Sequence, residues 1–475
     1  MTLLIIDIGS SSIRTLLFDA HSNPIPDAIV RYKHQFDHEQ QGQSTANAQQ
    51  LRNKLENCID KILLHPCARD IQAVGMACFV GNLVGLNQAF EAQTPLYTYA
   101  DSRSQSLIQN LKNQLDEAKI YQETGCRIHP AYNTAKLKWL KSTHPDEFSS
   151  IHQWSDFSTY CYQNWFNRAI PCSYSIASWS GLLDRHSLEW HSEWLETLQI
   201  KRENLPTLAD YTETQQGLSK IYSKRWPLLA NIPFYLALGD GAVANIGAGG
   251  ISPSAPVLTI GTTAAVRIIS PKLDKIPEGL WAYRVDKDHH LIGGATSEGG
   301  NLFQWAKETL KLDVNTLEIE LKNLKAGQHG LTILPLFAGE RSPGWQGDAV
   351  GTIHGLQLST QPIDILQALL EAIAFRLRLI LEKVDPNPKN PLIISGGALE
   401  ASPAWVHMIA DVMGRKLLIG EPQELTARGV ALLMNQNGDL EHTPNFTQQI
   451  SPDPEKKELY DRLLEQHLAL YHLFY

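Results

Sequence analysis

The chain has 475 residues, 43% of them hydrophobic, and a formal net charge of −9 from 41 basic and 50 acidic residues. That length exceeds what one hydrophobic core supports, so we expect two domains. The negative charge and the lack of a lysine or arginine run disfavour nucleic acid as a partner, and no stretch has the ~18–20 apolar residues that cross a membrane. Six cysteines without zinc-ligand spacing, and no secretory signal, predict free thiols in a cytoplasmic protein.

The first predicted element is a β-hairpin with a polar tip. Strands are expected at 3–8 and 13–19, where both runs are apolar, with a turn at Gly9 between them. The tip carries an acid, hydroxyls and a cation, namely Asp7, Ser10, Ser11, Ser12 and Arg14. Free N–H groups and hydroxyls at such a tip can hold phosphate oxygens, and an acid there can hold a divalent metal through water. A polar turn that binds nothing explains these residues equally well.

The rest of the first half is predicted to contain both strands and helices, with a helical lobe inserted at 102–210. The expected elements are strands at 28–33, 71–77 and 83–87, a helix at 46–64, and amphipathic helices at 103–115, 132–142 and 187–198. At the start of the lobe, Asp101 and Arg103 lie two residues apart and would share one face of an extended segment, where they could bind one polar ligand. An acid–arginine pair that caps a helix start is the equal alternative.

Asp240 is the strongest candidate for a catalytic acid or base in the second half. The apolar run Pro233–Leu238 predicts a buried strand, and a short helix is expected at 242–246. A carboxylate at the end of such a strand faces the crevice where α/β folds bind ligands, so it could accept a proton from a substrate hydroxyl. The same aspartate could equally be the N-cap of the helix.

A second hairpin is predicted at 255–270, and its sequence resembles the first. IGTTAAVR at 260–267 matches IGSSSIR at 8–14 if one extra residue is allowed. Two such hairpins, roughly 250 residues apart, indicate two related domains that face each other across a cleft, each with a phosphate-binding turn.

The remaining pattern predicts strands at 290–294, 331–336 and 392–395 and helices at 362–384 and 453–474. The double glycine Gly396–Gly397 between a strand and a helix allows a ring or a phosphate to approach the backbone, or forms only a tight turn. The loop with Glu340 and Arg341 is predicted to line the cleft or act as a hinge; a surface salt bridge is the alternative. Neither a Walker-type phosphate loop nor a clean dinucleotide fingerprint is present.

Taken together and in order, these stretches resemble the FGGY family of carbohydrate kinases. The resemblance rests on the two hairpins, ADSR, TGCRIHPAYNTAKLKWL, SYSIASWSGLLD, GDGAVANIG, GERSP and SGGALEASPAWVHMIADV. It implies the actin-like ATPase fold, an α/β architecture of two ribonuclease H-like domains flanking a nucleotide and sugar cleft. We place the sugar-binding domain with its helical insertion at 1–236 and the nucleotide-binding domain at 237–475.

The resemblance also implies residue roles. Asp7 would help to hold Mg²⁺ through water, and Asp240 would be the catalytic base. Nucleotide contacts would come from Ser10, Ser11, Arg14, Gly261, Thr262, Thr263, Gly300, Gln304, Gly397 and Ala398. Substrate contacts would come from Asp101, Arg103, His129 and Asp240. Two positions depart from the family pattern, since Asn133 replaces a Pro, Ser or Thr and Gly81 stands where relatives commonly have a sugar-binding histidine.

The predicted function is therefore phosphorylation of a hydroxyl of a small sugar or sugar acid, with ATP and Mg²⁺. The resemblance is greatest to the gluconate-kinase branch, and Arg103, Arg127 or His129 could supply a cation for the gluconate carboxylate. Xylulose or ribulose is the alternative substrate. A sugar sensor that no longer catalyses, and an ATPase or phosphatase of the same fold, are the alternatives from other classes. We expect no nucleic-acid or membrane partner, and a homodimer is left open.

Overall fold

The structure is a computed structural model that describes residues 2–397, 402–420, 424–435 and 445–475. The first half is built on a five-stranded sheet in the order β11-β5-β1-β2-β3. Its strands are β1 (Thr2–Ile8), β2 (Ser12–Phe18), β3 (Pro24–Lys33), β5 (Ile71–Cys78) and β11 (Leu238–Gly239). β1 pairs antiparallel with β2 and parallel with β5, and β5 pairs parallel with β11. Every residue of β1 is buried, as its continuous apolar sequence predicts.

The helices of the first half cover this sheet and form the inserted lobe. They are α1 (Ala48–Ile62), α2 (Ile108–Gln114), α3 (Glu117–Thr124), α4 (Asn133–Thr143), α5 (Pro145–Ser150), α6 (Phe157–Phe166), α7 (Tyr174–Ser178), α8 (Ser192–Leu198), α9 (Lys220–Arg225) and α10 (Asp240–Gly247). Short strands between them are β4 (Thr45–Ala46), β6 (Val84–Leu86), β7 (Leu96–Tyr97), β8 (Gln153–Ser155), β9 (Cys172–Ser173) and β10 (Leu208–Ala209). The lobe is mostly helical, in agreement with the sequence.

The second half is built on a seven-stranded sheet in the order β14-β15-β13-β12-β18-β19-β20. Its strands are β12 (Val257–Ile260), β13 (Ala264–Ser270), β14 (Trp281–Arg284), β15 (His290–Thr296), β18 (Leu392–Ser395), β19 (Leu417–Gly420) and β20 (Phe446–Ile450). A small separate hairpin consists of β16 (Thr332–Leu334) and β17 (Thr352–His354). The helices are α11 (Gly300–Thr309), α12 (Leu317–Asn323), α13 (Pro362–Val384), α14 (Pro403–Met413), α15 (Leu425–Asn435) and α16 (Lys457–Phe474).

The two sheets share one topology, as the repeated hairpin predicts. In each sheet a hairpin is followed by a third antiparallel strand on one side and by two parallel strands on the other. The strand register also differs between the two hairpins, although their sequences are similar. In the first hairpin Arg14 pairs with Asp7, one pair before the last pair at the tip. In the second hairpin Arg267 pairs with Val257, three pairs before the last pair at the tip. The two arginines are therefore not equivalent, and Thr259 occupies the place that Asp7 has in the first hairpin.

The two halves meet where α10 crosses α15. A Cβ added to Gly247 would lie 1.9 Å from the carbonyl oxygen of Leu425, and one added to Gly429 would lie 1.9 Å from that of Val243. Only glycine allows such a close approach of two helix backbones. α15 also packs on the first sheet, because the Cβ position of Gly75 in β5 faces the side chains of Val430 and Met434.

Some predicted boundaries differ from the structure. The strand expected over Pro233–Leu238 is interrupted: the Pro233 carbonyl and the Tyr235 N–H bond to Val74, and regular pairing resumes only at Leu238. The domain boundary between residues 236 and 237 stays a prediction, although β11 just after it belongs to the first sheet. In the part of the chain that the structure describes, no helix has the length and apolarity of a membrane span.

Candidate active site

Two aspartates lie at one edge of the first sheet, where its parallel strands end. Ile8 at the end of β1 and Gly239 at the end of β11 are both in register with Cys78 of β5. Asp7 is therefore the residue before the last paired residue of β1, and Asp240 is the residue after the last paired residue of β11. The strands β1 and β11 lie on either side of β5. With neighbouring strands ~4.8 Å apart, their backbones are separated by roughly 10 Å. The fold thus brings these two sequence-predicted acids to one cleft.

Burial raises the pKa of both carboxyl groups. Desolvation raises the pKa of Asp7 to about 6, against the opposing effect of the Arg14 guanidinium beside it. Desolvation likewise raises the pKa of Asp240 to about 7; the Gly241 N–H and the charge of Arg267 oppose this shift, and the charge of Asp7 adds to it. A carboxyl group with a pKa near neutrality is suited to accept a proton.

Asp240 is not the N-cap of its helix. The N-cap is Gly239, which makes no side-chain capping bond, and Asp240 is the first helical residue. Its Oδ1 does accept a hydrogen bond of 2.7 Å from the Gly241 N–H. The side chain therefore satisfies one amide of the first turn while remaining only partly buried at the cleft.

The first hairpin presents a closed turn with exposed hydroxyls. The Gly9 N–H donates to the Ser12 carbonyl at 2.9 Å, and the His34 ring Nε2 donates to the Gly9 carbonyl at 2.9 Å. Ser10 and Ser11 are exposed. The prediction that Arg14 contacts phosphate meets a complication. Its guanidinium is paired with Asp7 and with Glu424, whose Oε2 is 2.7 Å from Nη1.

The second hairpin is held against the start of α11. The Gly261 carbonyl accepts from the Gly300 N–H at 2.8 Å, and the Thr262 carbonyl accepts from the Asn301 N–H at 3.1 Å. The Thr262 and Thr263 side chains remain exposed. Gln304 lies one turn further along α11, exposed, and bonds to Glu308 at 2.5 Å. The predicted phosphate turn and the predicted nucleotide-site helix are thus one connected unit.

The double glycine after β18 lies against the same hairpin. Gly396 has φ of +111°, and a Cβ there would lie 2.2 Å from the Ile260 carbonyl oxygen. The space around the Cβ position of Gly397 is open among the described residues. This is the arrangement expected if a ligand approaches the backbone at Gly397. The predicted contact at Ala398 lies outside the described residues.

An aromatic cluster packs beside Asp240, and we call Trp179, Tyr283 and Tyr132 the aromatic wall; the two tyrosines are buried and Trp179 is partly exposed. Trp179 stacks on Tyr283 with ring centroids 3.6 Å apart, and the hydroxyls of Tyr283 and Tyr132 are 2.8 Å apart. Trp179 also contacts the glycines on either side of Asp240. Its buried Nε1 has no hydrogen-bond partner among the described residues. These residues were not predicted from the sequence; for Trp179 and Tyr132 the richness of the lobe in Trp and Tyr was the available signal.

Asp101 and Arg103 bind each other. The Arg103 Nε lies 3.1 Å from both Asp101 oxygens, Nη2 lies 2.7 Å from Oδ2, and the guanidinium stacks 4.6 Å over Trp139. Asp101 also accepts the Ser44 N–H at 3.1 Å. The geometry favours the alternative in which the pair fixes the start of a short helix, and Arg103 is not a free cation. Their predicted contact with substrate stays a prediction.

His129 does not carry the charge that a carboxylate would need. Burial and the nearby charge of Arg341 lower the pKa of His129 to about 3, so its ring is neutral at pH 7. Nδ1 accepts the Ala131 N–H at 3.2 Å, which leaves Nε2 as the protonated nitrogen. The Lys136 ammonium fixes this loop by donating to the Pro130 and Ala131 carbonyls. His129 can therefore donate to a hydroxyl.

Gly81 and Asn133, which depart from the family pattern, are part of one structural contact. Gly81 has φ of +67°, and a Cβ there would lie 3.0 Å from the Tyr99 Cβ, so any side chain at this position is strained. The Asn133 side chain donates to the Asn82 carbonyl at 2.9 Å and ties the lobe to this segment. A histidine could not simply replace Gly81 on this backbone.

Comparison with known proteins gives a consistent result over nearly the whole chain. Residues 2–247 match the N-terminal domain, and residues 257–436 the C-terminal domain, of the FGGY family of carbohydrate kinases. The gluconokinase of Bacillus subtilis is 24% identical over 445 residues, which is 90% of this chain and 86% of that protein. The structures of xylulose kinase and gluconate kinase from Lactobacillus acidophilus each cover 99% of this chain and 98% of their own, with TM-scores of 0.92 and 0.91 and identities of 25% and 24%. The predicted fold is confirmed.

Proposed function

Because the chain belongs to the FGGY family of carbohydrate kinases, and is thus a phosphotransferase, we propose that it transfers the γ-phosphoryl group of ATP to a hydroxyl of gluconate. One observation carries the catalytic part of this proposal. Asp240 lies at the same sheet edge as Asp7, with a pKa of about 7, beside the partly exposed ring of Trp179.

In the proposed reaction Asp240 accepts the proton of the acceptor hydroxyl. The hydroxyl oxygen forms a bond to the γ-phosphorus while the bond to the ADP oxygen breaks, so that ADP leaves with the electron pair. Arg267, whose charge favours the ionised form of Asp240, keeps part of the base population deprotonated at neutral pH. Phosphoryl transfer depends chiefly on positioning, which would come from the two hairpins and from a base at the start of a helix.

The nucleotide phosphates would lie between the two hairpin tips. Exposed hydroxyls of Ser10, Ser11, Thr262 and Thr263 are the donors there. Arg14 can join them only by giving up part of its pairing with Asp7 and Glu424. The adenosine would lie toward Gly397, where the backbone is open.

The residues fit a magnesium ion held largely by substrate. The described residues contain no cluster of three or more His, Cys, Asp or Glu that could form a protein-only metal site. Mg²⁺ retains waters and is commonly bound through one or two carboxylates together with phosphate oxygens, and Asp7 offers such a carboxylate. When bound, the ion neutralises charge on the phosphates.

Gluconate is favoured over neutral sugars by one observation. The curated relatives of this chain include two gluconokinases, each 24% identical over 445 residues. Xylulose is the second candidate, since the xylulose kinase of Lactobacillus acidophilus has the same fold at 25% identity.

The test is a substrate screen with purified protein, ATP and Mg²⁺. Gluconate, xylulose, ribulose and glycerol are compared by coupled detection of ADP, and the phosphorylated product is identified by mass. We expect sugar-dependent ADP release and 6-phosphogluconate. ADP release that does not require any acceptor would indicate an ATPase. Binding of gluconate without turnover would indicate a sensor, and turnover of xylulose alone would replace the proposed substrate.

A further inference from the structure

Glu424 connects the second half of the chain to the first hairpin. It is the residue immediately before α15, the helix that packs on α10. Its Oε2 lies 2.7 Å from Nη1 of Arg14 in β2, and its Oε1 lies 2.9 Å from Nη2 of Arg31 in β3. A carboxylate of the second half is thus held between two arginines of the first half.

Arg14 is shared between two carboxylates. Its Nη1 pairs with Glu424, and its Nη2 pairs with Asp7. The buried Nε has no hydrogen-bond partner among the described residues. A guanidinium binds a phosphate group best through two parallel N–H donors, and both terminal nitrogens of Arg14 already face a carboxylate. A phosphate at this guanidinium therefore has to compete with a carboxylate of the protein.

Glu424 is the carboxylate that Arg14 can release at the lower cost. The side chain of Asp7 is 1% exposed, so release of Asp7 would leave a buried charge without its arginine, which is unfavourable. The side chain of Glu424 is 18% exposed, and it would keep its ion pair with Arg31. Exchange of Glu424 for a phosphate thus leaves neither carboxylate without a cation.

The shared guanidinium belongs to the turn at which the nucleotide phosphates are proposed to lie. Ser10 and Ser11 form the exposed tip of the first hairpin. Arg14 follows Ser12, the first residue of β2, by two positions, which is roughly 7 Å along a strand. Its side chain is 22% exposed, so the guanidinium is accessible from solvent. A phosphate bound by this tip is therefore close to the arginine that Glu424 holds.

We propose that Glu424 is a built-in competitor of the nucleotide phosphates for Arg14 and thereby lowers the affinity of the chain for ATP. This inference rests on the proposed function, because it requires the phosphates to lie at the first hairpin. Arg31 moderates the competition, since it binds the other oxygen of Glu424 and retains this carboxylate when Arg14 turns to a phosphate. Glu424 is thus a positioning residue, which acts on the nucleotide through Arg14.

The experiment measures the Kd of the non-hydrolysable β,γ-methylene analogue of ATP by calorimetry at a fixed Mg²⁺ concentration. Glu424→Gln should lower the Kd roughly 10-fold, because a neutral amide holds an arginine less strongly than a carboxylate does. Arg31→Gln should raise the Kd severalfold, because Glu424 then depends on Arg14 alone. The matched control is Glu193→Gln, which removes a surface ion pair with Lys119 and should leave the Kd unchanged.

The double variant tests whether Arg31 acts through Glu424. In the Glu424→Gln background, Arg31→Gln should have no effect on the Kd, because the carboxylate that couples Arg31 to Arg14 has been removed. An equal effect of Arg31→Gln in both backgrounds would mean that Arg31 acts on the nucleotide directly, and it would overturn the inference.

The outcomes separate this inference from the proposed function. If the wild type phosphorylates gluconate and Glu424→Gln leaves the Kd within twofold or raises it, the inference is wrong while the proposed function stands. If the wild type binds the analogue without phosphorylating gluconate, the proposed function fails, and the series of Kd values still decides the inference. A wild type that does not bind the analogue overturns both.

Melting temperatures verify that the variants are folded. If Glu424→Gln is unfolded, Arg31→Gln decides the inference alone, since Arg31 is half exposed on β3 and its replacement does not remove a buried group. A raised Kd then supports the inference, and an unchanged Kd overturns it.

Discussion

Replacing Asp240 with asparagine should make the protein more stable and almost inactive. The amide keeps the size of the side chain and can still accept the Gly241 N–H bond. It removes a charge whose burial raises the pKa from 3.8 to about 7. At about 1.4 kcal/mol per pKa unit, the ionised carboxylate costs the folded state up to about 4 kcal/mol. A general base contributes 10²- to 10⁴-fold to rate, and we expect a loss of that size.

The sign of the stability effect depends on pH in a defined way. The folded-state pKa is raised, so the contribution of this group to stability is fully present below about pH 4 and is lost as pH rises through about 7. The stability gain of Asp240→Asn should therefore grow from pH 4 to 7 and then level off. Urea unfolding at several pH values and coupled ADP assays with gluconate measure both effects. Activity within tenfold of wild type would refute the assignment of the base.

Three further predictions concern the same cleft and the contact between the halves. The kcat/KM of the wild type should rise with pH through about 7. Arg267→Met should move this rise to higher pH, because the charge of Arg267 lowers the pKa of Asp240. A pH profile that does not move would contradict this prediction. Gly429→Ala, whose Cβ would lie 1.9 Å from a carbonyl oxygen, should lower the free energy of unfolding by about 1–3 kcal/mol, whereas Gly347→Ala, with open space around it, should not. Asp7→Asn should raise the Mg²⁺ concentration for half-maximal activity roughly 10- to 100-fold, and an unchanged Mg²⁺ titration would remove Asp7 from the metal site.

The sequence predicted the sheets and the position of Asp240 because these depend on local patterns. Continuous apolar runs fix buried strands such as β1, and a strand that ends in an acid places that acid at the sheet edge. The echo between the two hairpins predicted the shared topology. The similarity did not predict equivalent positions for Arg14 and Arg267, because the register of a hairpin depends on the length of its loop and not on sequence similarity alone.

The features that the sequence did not predict all depend on contacts between distant segments. Glu424, 410 residues from Arg14, occupies a guanidinium that the sequence assigned to phosphate. The aromatic wall combines residues more than 100 positions apart, such as Tyr132 and Tyr283. The neutrality of His129 and the pairing of Arg103 depend on burial and on neighbours, so the choice among candidate cations required the structure.

The contact of Gly247 with α15 also bears on how the candidate base is held. The carbonyl of Leu425 fills the Cβ position of Gly247, and that of Val243 fills the Cβ position of Gly429, so the two helices interlock with no side chain between them. Asp240 is the first residue of α10. The candidate base is therefore attached directly to the helix through which the two halves of the chain are joined.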